Sequence, residues 1–283
     1  MVKIAQGKVI AEGIYRKLEK KVKFLEKKGI APKLGVVLVG EDKPSQTYVK
    51  KKGQAAEKIG VKFLLKTYPA SISEKKLIEE LKKLQRKSVG LTGLIVQLPL
   101  PQKMNVGKVL ETIDPAIDVD CLTQTNLGKL VTGSAKIKPP TPDGMMEILK
   151  KYKVNLKGKR VCVVGAGALV GKPLANMLMN EEATVSVCNY FTPNLKEYTQ
   201  NADVIMTGVG VHKLIKGNMV KKGVVVVDAG VCFVKGKMYG DVDFPTVSKK
   251  ASVITPTPGG VGPLTVAKLI ENTVICAERL DRE

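Results

Sequence analysis

The sequence of 283 residues contains no tryptophan, a single histidine and only 4% aromatic residues. The lone histidine, His212, argues against mechanisms that use a histidine dyad, a Ser-His-Asp triad or a histidine-rich metal site. No apolar run approaches the roughly 20 residues that cross a bilayer. The first residues show neither the apolar core nor the cleavage site of a signal peptide. The sequence therefore predicts a cytoplasmic protein with neither a membrane partner nor a metal.

The cysteines disfavour a disulfide framework or a zinc site. They are far apart, odd in number and free of any CxxC pair: Cys121, Cys162, Cys188, Cys232 and Cys276. Zinc-binding cysteines recur at short fixed spacings, and disulfide-rich chains use an even number of them. We therefore expect reduced structural thiols.

Acidic residues are outnumbered by basic ones, and the formal net charge is +21. A charge of this size makes nucleic acid a candidate partner. However, no nucleic-acid-binding motif is present, and the lysines are spread along amphipathic stretches such as residues 73–87. We therefore predict a lysine-rich surface that attracts anionic small molecules, with no nucleic acid as partner. A salt-dependent shift assay with duplex DNA distinguishes the two interpretations.

Short apolar runs rich in valine and isoleucine alternate with amphipathic stretches along the chain. The runs are residues 34–40, 91–101, 160–165, 183–188, 202–210, 223–230 and 251–255. Continuous apolar runs bounded by glycine and proline are typical of strands buried on both faces. The sequence thus predicts an α/β fold in which parallel sheets are covered by helices.

Two proline-rich interruptions predict the domain organisation. PPTPDG (139–144) is predicted to be a turn before the helix MMEILKKY, and TPTPGGVGPLT (255–265) precedes the last helix. We expect a substrate domain over residues 1–138, a Rossmann-like dinucleotide-binding domain over 139–262, and a terminal helix, 263–283, that completes the first domain. A small-molecule site is expected in a cleft between the domains.

Three consecutive lysines, Lys50, Lys51 and Lys52, lie in the stretch QTYVKKKGQAAEKIG (46–60). On a helical wheel Lys52 falls about 40° from Tyr48, inside the apolar stripe, whereas the other two lysines fall on the opposite arc. A lysine on an apolar face can extend to solvent, pair with a carboxylate, or stay desolvated with a lowered pKa. The last state would make it a base or nucleophile. The stretch alone leaves these alternatives open.

A dinucleotide-binding motif is indicated by RVCVVGAGALVGKP (160–173), which reads as a strand, a glycine turn and the start of a helix. The spacing of Gly165, Gly167 and Gly171 is one residue longer than the usual G-x-G-x-x-G. Glycines there permit a tight turn and a close approach of backbone to a pyrophosphate, to which the helix N-terminus donates N–H groups. No acidic residue follows the next strand, which is a point in favour of NADP over NAD. No arginine stands there either, and the nearest cation is Lys172, so these residues leave the preference open.

Several motifs occur in order along nearly the whole chain: SQTYVKKK (45–52), GLIVQLPLP (93–101), DPAIDVD (114–120), PPTPDG (139–144), VVGAGALVGKP (163–173), GDVDF (240–244) and TPTPGGVGPLTVAKLIENT (255–273). Together they resemble the bifunctional methylenetetrahydrofolate dehydrogenase/methenyltetrahydrofolate cyclohydrolase family. The resemblance implies a homodimer that oxidises methylenetetrahydrofolate to methenyltetrahydrofolate with NADP, or with NAD, and hydrolyses the product to formyltetrahydrofolate.

The resemblance also implies catalytic roles for individual residues. Lys52 matches the catalytic lysine of the motif Y-x-x-x-K, and Tyr48 matches the aromatic residue that stacks on the folate ring. Gln97 matches the glutamine that orients the lysine, and Asp120 the carboxylate that anchors the pterin. Asp118 is expected to support the turn. Without the resemblance, Tyr48 is interpreted as an ordinary core-rim residue, Gln97 as a strand-end residue, and either aspartate as a turn residue.

Further positions are implied to contact the ligands. Gly262 and Pro263 are expected to join Tyr48, Gln97 and Asp120 beside the substrate. The positions expected beside the cofactor are Thr141, Gly165, Ala166, Gly167, Gly171, Lys172, Tyr190, Val231, Gly259 and Gly260.

The sequence departs from the family pattern at a few positions. Cys121 stands where glycine is usual, and Pro140 where cysteine is usual. Ala166-Gly167, Asn189-Tyr190 and Cys232 replace other residues on the cofactor side. The alternative reading is therefore a cyclohydrolase with weak or NAD-linked dehydrogenase activity. An unrelated Rossmann dehydrogenase would explain the glycine turn but neither QLPLP nor Lys52.

Overall fold

The structure is a computed structural model that describes residues 1–281. The strands are β1 (Lys3–Ile4), β2 (Lys33–Val39), β3 (Lys62–Tyr68), β4 (Gly93–Val96), β5 (Arg160–Val164), β6 (Thr184–Cys188), β7 (Val204–Thr207), β8 (Val225–Asp228), β9 (Cys232–Val234), β10 (Lys237–Tyr239) and β11 (Val253–Ile254). The helices are α1 (Gly7–Lys27), α2 (Lys43–Lys58), α3 (Glu74–Leu84), α4 (Val106–Leu110), α5 (Gln124–Val131), α6 (Pro140–Lys151), α7 (Gly171–Asn180), α8 (Leu195–Gln200), α9 (Phe244–Val247) and α10 (Val261–Leu280).

The chain divides into two compact units. The Rossmann unit consists of Met1–Glu12, Leu130–Ser134 and Thr141–Thr265. Of the described residues, the Lys52 unit consists of Gly13–Lys129, Ala135–Pro140 and 266–281. The domain boundaries expected from the sequence, after residues 138 and 262, stay predictions.

The Rossmann unit is built on a six-stranded sheet in the order β1-β11-β8-β7-β5-β6, with every neighbouring pair parallel. The chain passes from β5 outward to β6 and then returns to the other side of β5 to form β7. Such a reversal is the switch point at which open α/β sheets bind ligands, outside the carboxyl ends of the strands. Gly165 follows β5 and Gly208 follows β7, so the glycine turn lies at this point. Buried aliphatic side chains such as Val164, Ile205 and Val226 form the core.

The Lys52 unit contains a parallel three-stranded sheet in the order β3-β2-β4. The central strand β2 is almost wholly buried, as its unbroken apolar run predicts. Leu77, Leu81, Val37, Leu94 and Val96 belong to its core. The predicted fold class, parallel sheets covered by helices, is therefore confirmed in both units.

Local features differ from the sequence predictions, among them the antiparallel pair of β9 and β10, which was not predicted. Strand β3 was not predicted, because Lys62 and Lys66 interrupt its apolar pattern at an exposed edge of the sheet. The turn predicted at PPTPDG is wrong, since α6 already begins at Pro140. Proline is tolerated in the first turn of a helix, where backbone N–H groups have no intrahelical acceptor. Within residues 1–281, no helix is both long and apolar enough to cross a membrane.

Candidate active site

Helix α2 places Tyr48 and Lys52 one turn apart on the same face. Asp42 caps the helix, its carboxylate accepting a hydrogen bond from the Ser45 N–H at 2.9 Å. The Lys52 side chain lies within the buried stripe of the helix and is only 8% exposed. Tyr48 is half-buried, and Lys50 and Lys51 are exposed. The position of Lys52 predicted from the helical wheel is thus confirmed.

Gln97 receives the Lys52 amine at the carboxyl end of β4. Lys52 Nζ donates to Gln97 Oε1 at 3.0 Å. The other end of the same amide is also engaged, because Gln97 Nε2 donates to the Leu98 carbonyl at 2.7 Å. The backbone N–H of Gln97 donates to the Val37 carbonyl at 2.8 Å and anchors the residue to β2. These bonds fix the amide so that its oxygen faces the lysine.

Asp118 organises the turn that carries Asp120. The buried Asp118 carboxylate accepts hydrogen bonds from the Leu122 N–H, from the N–H and hydroxyl of Thr123, and from Asn126 Nδ2, at 2.7 to 3.2 Å. Satisfying a buried carboxylate with several donors is what permits its burial. The prediction that Asp118 supports the turn is confirmed.

Lys52 and Asp120 influence each other electrostatically. Burial lowers the pKa of Lys52, and the charge of Asp120 partly opposes this effect. Burial likewise raises the pKa of Asp120, with Lys52 opposing and Asp118 adding to the rise. Because Lys50 and Lys51 are exposed, the desolvation of Lys52 itself, rather than its neighbours in sequence, is the cause of its lowered pKa. A lysine in this state releases its proton at a lower pH than a surface lysine and can serve as a base.

Cys121, which follows Asp120, has a left-handed backbone with φ of 57°. Glycine adopts this conformation without a steric penalty, which gives a physical reason for glycine being usual at this position. Here the thiol is fully buried, and Sγ donates to the Ile137 carbonyl at 3.3 Å. Burial raises the pKa of Cys121 to about 12, so the thiol stays protonated.

The glycine turn of the Rossmann unit depends on glycine at two positions. Gly165 adopts φ of 106°, and a Cβ added at Gly171 would lie 1.8 Å from the Gly165 carbonyl oxygen. Both positions therefore require glycine. Around Gly167 no atom lies within 4 Å of an added Cβ, which leaves open space in the turn before α7. The turn thus leads directly into the N-terminus of α7, the kind of position at which proteins bind phosphate groups.

The other residues expected beside the cofactor are distributed over loops and the helices α6 and α7 of the same unit. Lys172 is exposed in the first turn of α7, Tyr190 is exposed after β6, and Val231 is exposed after β8, while Ala166 is half-buried in the glycine turn. Thr141 shares a hydrogen bond of 3.1 Å with the hydroxyl of Thr265.

The loop before α10 and the first turn of that helix contain four of the expected ligand-contacting positions: Gly259, Gly260, Gly262 and Pro263. Gly259 is exposed and has φ of 101°. Gly262 and Pro263 fall in the first turn of the helix. The roles of these residues, and of those named above, stay predictions.

Gly7, a residue that the sequence analysis missed, lies against this loop. Its N–H donates to the Gly259 carbonyl at 2.9 Å, and an added Cβ would lie 1.7 Å from the Gly260 carbonyl oxygen. The N-terminus of α1 is therefore in direct backbone contact with the glycine pair. No local pattern marks this contact, because its partners are about 250 residues apart in sequence.

Within residues 1–281, no group of three or more histidine, cysteine, aspartate or glutamate side chains is arranged to hold a metal ion. All five cysteines are free thiols. The chemistry available at this site is that of a buried amine, an amide and a carboxylate.

Comparison with known proteins identifies two matched domains. Residues 5–120 match the catalytic domain of tetrahydrofolate dehydrogenase/cyclohydrolase, and residues 139–281 match the NAD(P)-binding domain of the same family. The bifunctional protein FolD of Nautilia profundicola is 46% identical over 281 residues, covering 99% of each chain. That of Hydrogenobaculum is 46% identical over 273 residues, covering 96% of this chain and 97% of the relative.

Solved structures agree with these relatives. The bifunctional FolD enzyme of Campylobacter jejuni superposes with a TM-score of 0.97 at 42% identity, covering 99% of this chain and 100% of that one. The FolD structure of Trypanosoma brucei, complexed with NADP and an inhibitor, gives a TM-score of 0.95 at 34% identity, covering 100% of this chain and 99% of that one.

Proposed function

Since this chain belongs to the tetrahydrofolate dehydrogenase/cyclohydrolase family, we propose that it oxidises methylenetetrahydrofolate to methenyltetrahydrofolate with NADP and hydrolyses that product to formyltetrahydrofolate. The observation that carries the proposal is the buried Lys52 amine. It donates a hydrogen bond to Gln97, and the charge of Asp120 influences its pKa. Folate chemistry of this kind needs a weak base beside an anchored pterin, and these three residues supply both.

In the hydrolytic step, water attacks the methenyl carbon and its proton passes to the neutral Lys52 amine. One carbon–nitrogen bond then opens, and the released nitrogen keeps its electron pair and takes up a proton. Gln97 Oε1 fixes the amine, so the base does not have to be ordered at the moment of reaction. Asp120 accepts hydrogen bonds from the amino and ring N–H groups of the pterin, and Tyr48 stacks on its ring.

In the dehydrogenase step, NADP supplies a hydride acceptor when it is bound. The chain's own contribution is to bind and orient it. Gly165 and Gly171 allow the turn to close tightly against the start of α7, and open space adjoins Gly167. In the proposed complex the pyrophosphate lies in that space, at the N-terminus of α7. Thr141, Ala166, Gly167, Lys172, Tyr190, Val231 and the Gly259–Gly260 pair complete the proposed cofactor site, with Gly262 and Pro263 on the substrate side.

The preference for NADP rests on charge. Asn189 and Tyr190 follow β6, where an NAD-binding chain usually has an acidic residue, and Lys172 offers a positive charge for a phosphate. The second candidate, a cyclohydrolase with weak or NAD-linked dehydrogenase activity, is favoured by a different observation. Tyr190, which follows β6, is 95% exposed and uncharged, so this residue offers no positive charge to the phosphate that distinguishes NADP from NAD.

We extend the proposal to the assembly and setting of the enzyme. Membership of the family supports a homodimer, with residues 1–138 and 263–283 as the folate-binding domain and 139–262 as the NAD(P)-binding domain. The free thiols support a reducing, cytoplasmic setting. The net charge of +21 supports binding of polyglutamylated folates, whose tails are anionic.

The decisive experiment measures methenyltetrahydrofolate formation from methylenetetrahydrofolate with NADP and with NAD. Turnover that is faster with NADP supports the main proposal. Hydrolysis of supplied methenyltetrahydrofolate without reduction of either cofactor supports the second candidate. Absence of reaction with both folates contradicts the proposed function.

A further inference from the structure

Asp241 is a fully buried carboxylate with an unusual set of partners. Its Oδ2 accepts hydrogen bonds from the Thr207 hydroxyl at 2.6 Å and from the Val209 N–H at 2.7 Å. Its Oδ1 accepts from the N–H groups of Gly210 and Val211 at 2.7 and 2.8 Å. One side chain therefore binds the end of β7 and three successive residues of the loop that follows.

The loop held in this way lies at the switch point of the sheet. Its first residue, Gly208, donates to the Val164 carbonyl at the end of β5 at 3.2 Å. Its second residue is in contact with the glycine turn, because a Cβ added at Gly165 would lie 3.0 Å from Val209 Cγ2. Val209 and Val211 are both nearly half exposed. The loop thus forms a wall beside the glycine turn, at the edge where ligands bind in this type of sheet.

The surroundings of Asp241 are built to accommodate its carboxylate. A Cβ added at Gly230 would lie 2.2 Å from Asp241 Oδ1, so only glycine fits there. The neighbouring buried carboxylate, Asp228, accepts from the N–H groups of Gly230 and Val242 at 2.8 and 3.0 Å and so fixes the backbone on both sides. The Ile215 N–H donates to the Asp241 carbonyl at 3.0 Å. The carboxylate therefore has a fixed place, and the 208–211 loop is ordered around it.

We infer that Asp241 is a positioning residue of the dinucleotide site: its carboxylate holds the 208–211 loop in the conformation that binds the cofactor beside the glycine turn. This inference rests on the proposed function, because it assumes that a dinucleotide occupies the switch point. Asp241 itself is buried behind the loop and acts through the backbone of Val209, Gly210 and Val211.

The substitution Asp241→Asn tests the inference. The asparagine amide keeps one acceptor oxygen, but its NH2 group replaces the other oxygen and cannot accept a hydrogen bond. Two of the donors that bind Asp241 therefore lose their acceptor, and the loop is held by fewer hydrogen bonds. We expect the Kd for NADP, measured by isothermal titration calorimetry, to rise about tenfold or more. Hydrolysis of supplied methenyltetrahydrofolate should stay within about twofold of wild type, since the proposed hydrolytic residues belong to the other compact unit. That retained activity distinguishes a displaced loop from a misfolded protein.

Asp243→Asn is the matched control. Asp243 lies in the same segment, but its carboxylate accepts from Thr246 and pairs with Lys213 at 3.7 Å, away from the loop backbone. The Asp243→Asn variant should bind NADP with the affinity of wild type.

A second variant covers the case in which Asp241→Asn does not fold. Thr207→Val removes one donor and leaves Asp241 with its three backbone partners, so a smaller rise in the Kd for NADP is expected. An unchanged Kd in folded Asp241→Asn, or in Thr207→Val if the first variant does not fold, overturns the inference. The readout is cofactor binding, so it is independent of folate turnover. If wild type binds NADP but transforms neither folate, the proposed function is contradicted, and the NADP affinities of the variants still decide this inference. Wild type that does not bind NADP overturns both.

Discussion

Lys52 Nζ donates to Gln97 Oε1 at 3.0 Å, joining the middle of α2 to the carboxyl end of β4. The acceptor is neutral, so it holds the amine without strongly favouring the protonated form. A carboxylate in the same place would favour the ammonium ion. This pairing of a buried lysine with an amide explains how the site combines precise placement with a lowered pKa.

The rate of methenyltetrahydrofolate hydrolysis is expected to depend on the protonation of Lys52. Burial lowers the pKa of this amine, and only its neutral form accepts a proton from water. The rate should therefore rise with pH through the lowered pKa of Lys52, at a pH below that expected for a surface lysine. Measurement of kcat against pH, corrected for uncatalysed hydrolysis, checks this, and a rate independent of pH would argue against a titrating lysine.

Gln97→Glu should move that profile to higher pH. The new carboxylate would lie within hydrogen-bonding distance of the amine and raise the pKa of Lys52 by favouring its charged form. At neutral pH the hydrolytic rate should fall, and raising the pH should restore part of it. Gln97→Leu serves as the comparison, since it removes the acceptor without adding charge and should lower the rate without moving the profile upward. Identical profiles for Gln97→Glu and wild type would contradict the assignment.

Asp228 should make the stability of the protein depend on pH. Burial and the neighbouring Asp241 raise the pKa of Asp228 to about 7, although backbone N–H groups partly oppose this, and the Cys232 thiol is also close enough to interact. In the unfolded chain this carboxyl titrates near 4. Between about pH 4 and pH 7 the folded protein keeps a proton that the unfolded chain has lost, so the free energy of unfolding falls as pH rises through this window.

Asp228→Asn removes this titration. Between pH 5 and pH 7.5 the free energy of unfolding of wild type should therefore fall by about 2 kcal/mol relative to that of the variant. Urea denaturation at the two pH values measures it. A difference that does not change with pH would show that Asp228 has the same proton affinity in both states.

Gly7 and Gly13 form a matched pair within α1. An added Cβ at Gly7 would lie 1.7 Å from the Gly260 carbonyl oxygen, whereas no atom lies within 4 Å of one at Gly13. Gly7→Ala should lower the free energy of unfolding by about 1–3 kcal/mol through overpacking. Gly13→Ala should raise it by up to about 1 kcal/mol through helix propensity. Thermal or chemical denaturation of the two variants compares them, and equal effects would mean that the contact at Gly7 is easily relieved.

The sequence predicted those features that depend on local pattern. Unbroken valine and isoleucine runs predicted the buried parallel strands, and the angular position of Lys52 on its helix predicted its burial. The glycine turn after β5 was predicted from residue order, because a strand, a tight turn and a helix must follow one another there.

The features that could not be predicted depend on distant residues. The contact of Gly7 with Gly260, and the hydrogen bonds from Thr207 and the 209–211 backbone to Asp241, involve partners far apart in sequence. Backbone donors carry no side-chain signature, so nothing in GDVDF indicates that its first aspartate binds a loop. Strand β3 was missed because an edge strand tolerates exposed lysines.

The most direct test of the account compares methenyltetrahydrofolate hydrolysis by wild type, Lys52→Met and Lys50→Met. Methionine has about the length of lysine and can fill a buried position, but it offers no base. We expect Lys52→Met to lose about 100-fold or more in hydrolytic kcat, and Lys50→Met, whose side chain is exposed, to match wild type. Near-normal hydrolysis by Lys52→Met would contradict the central claim that the buried Lys52 amine is the base of this enzyme.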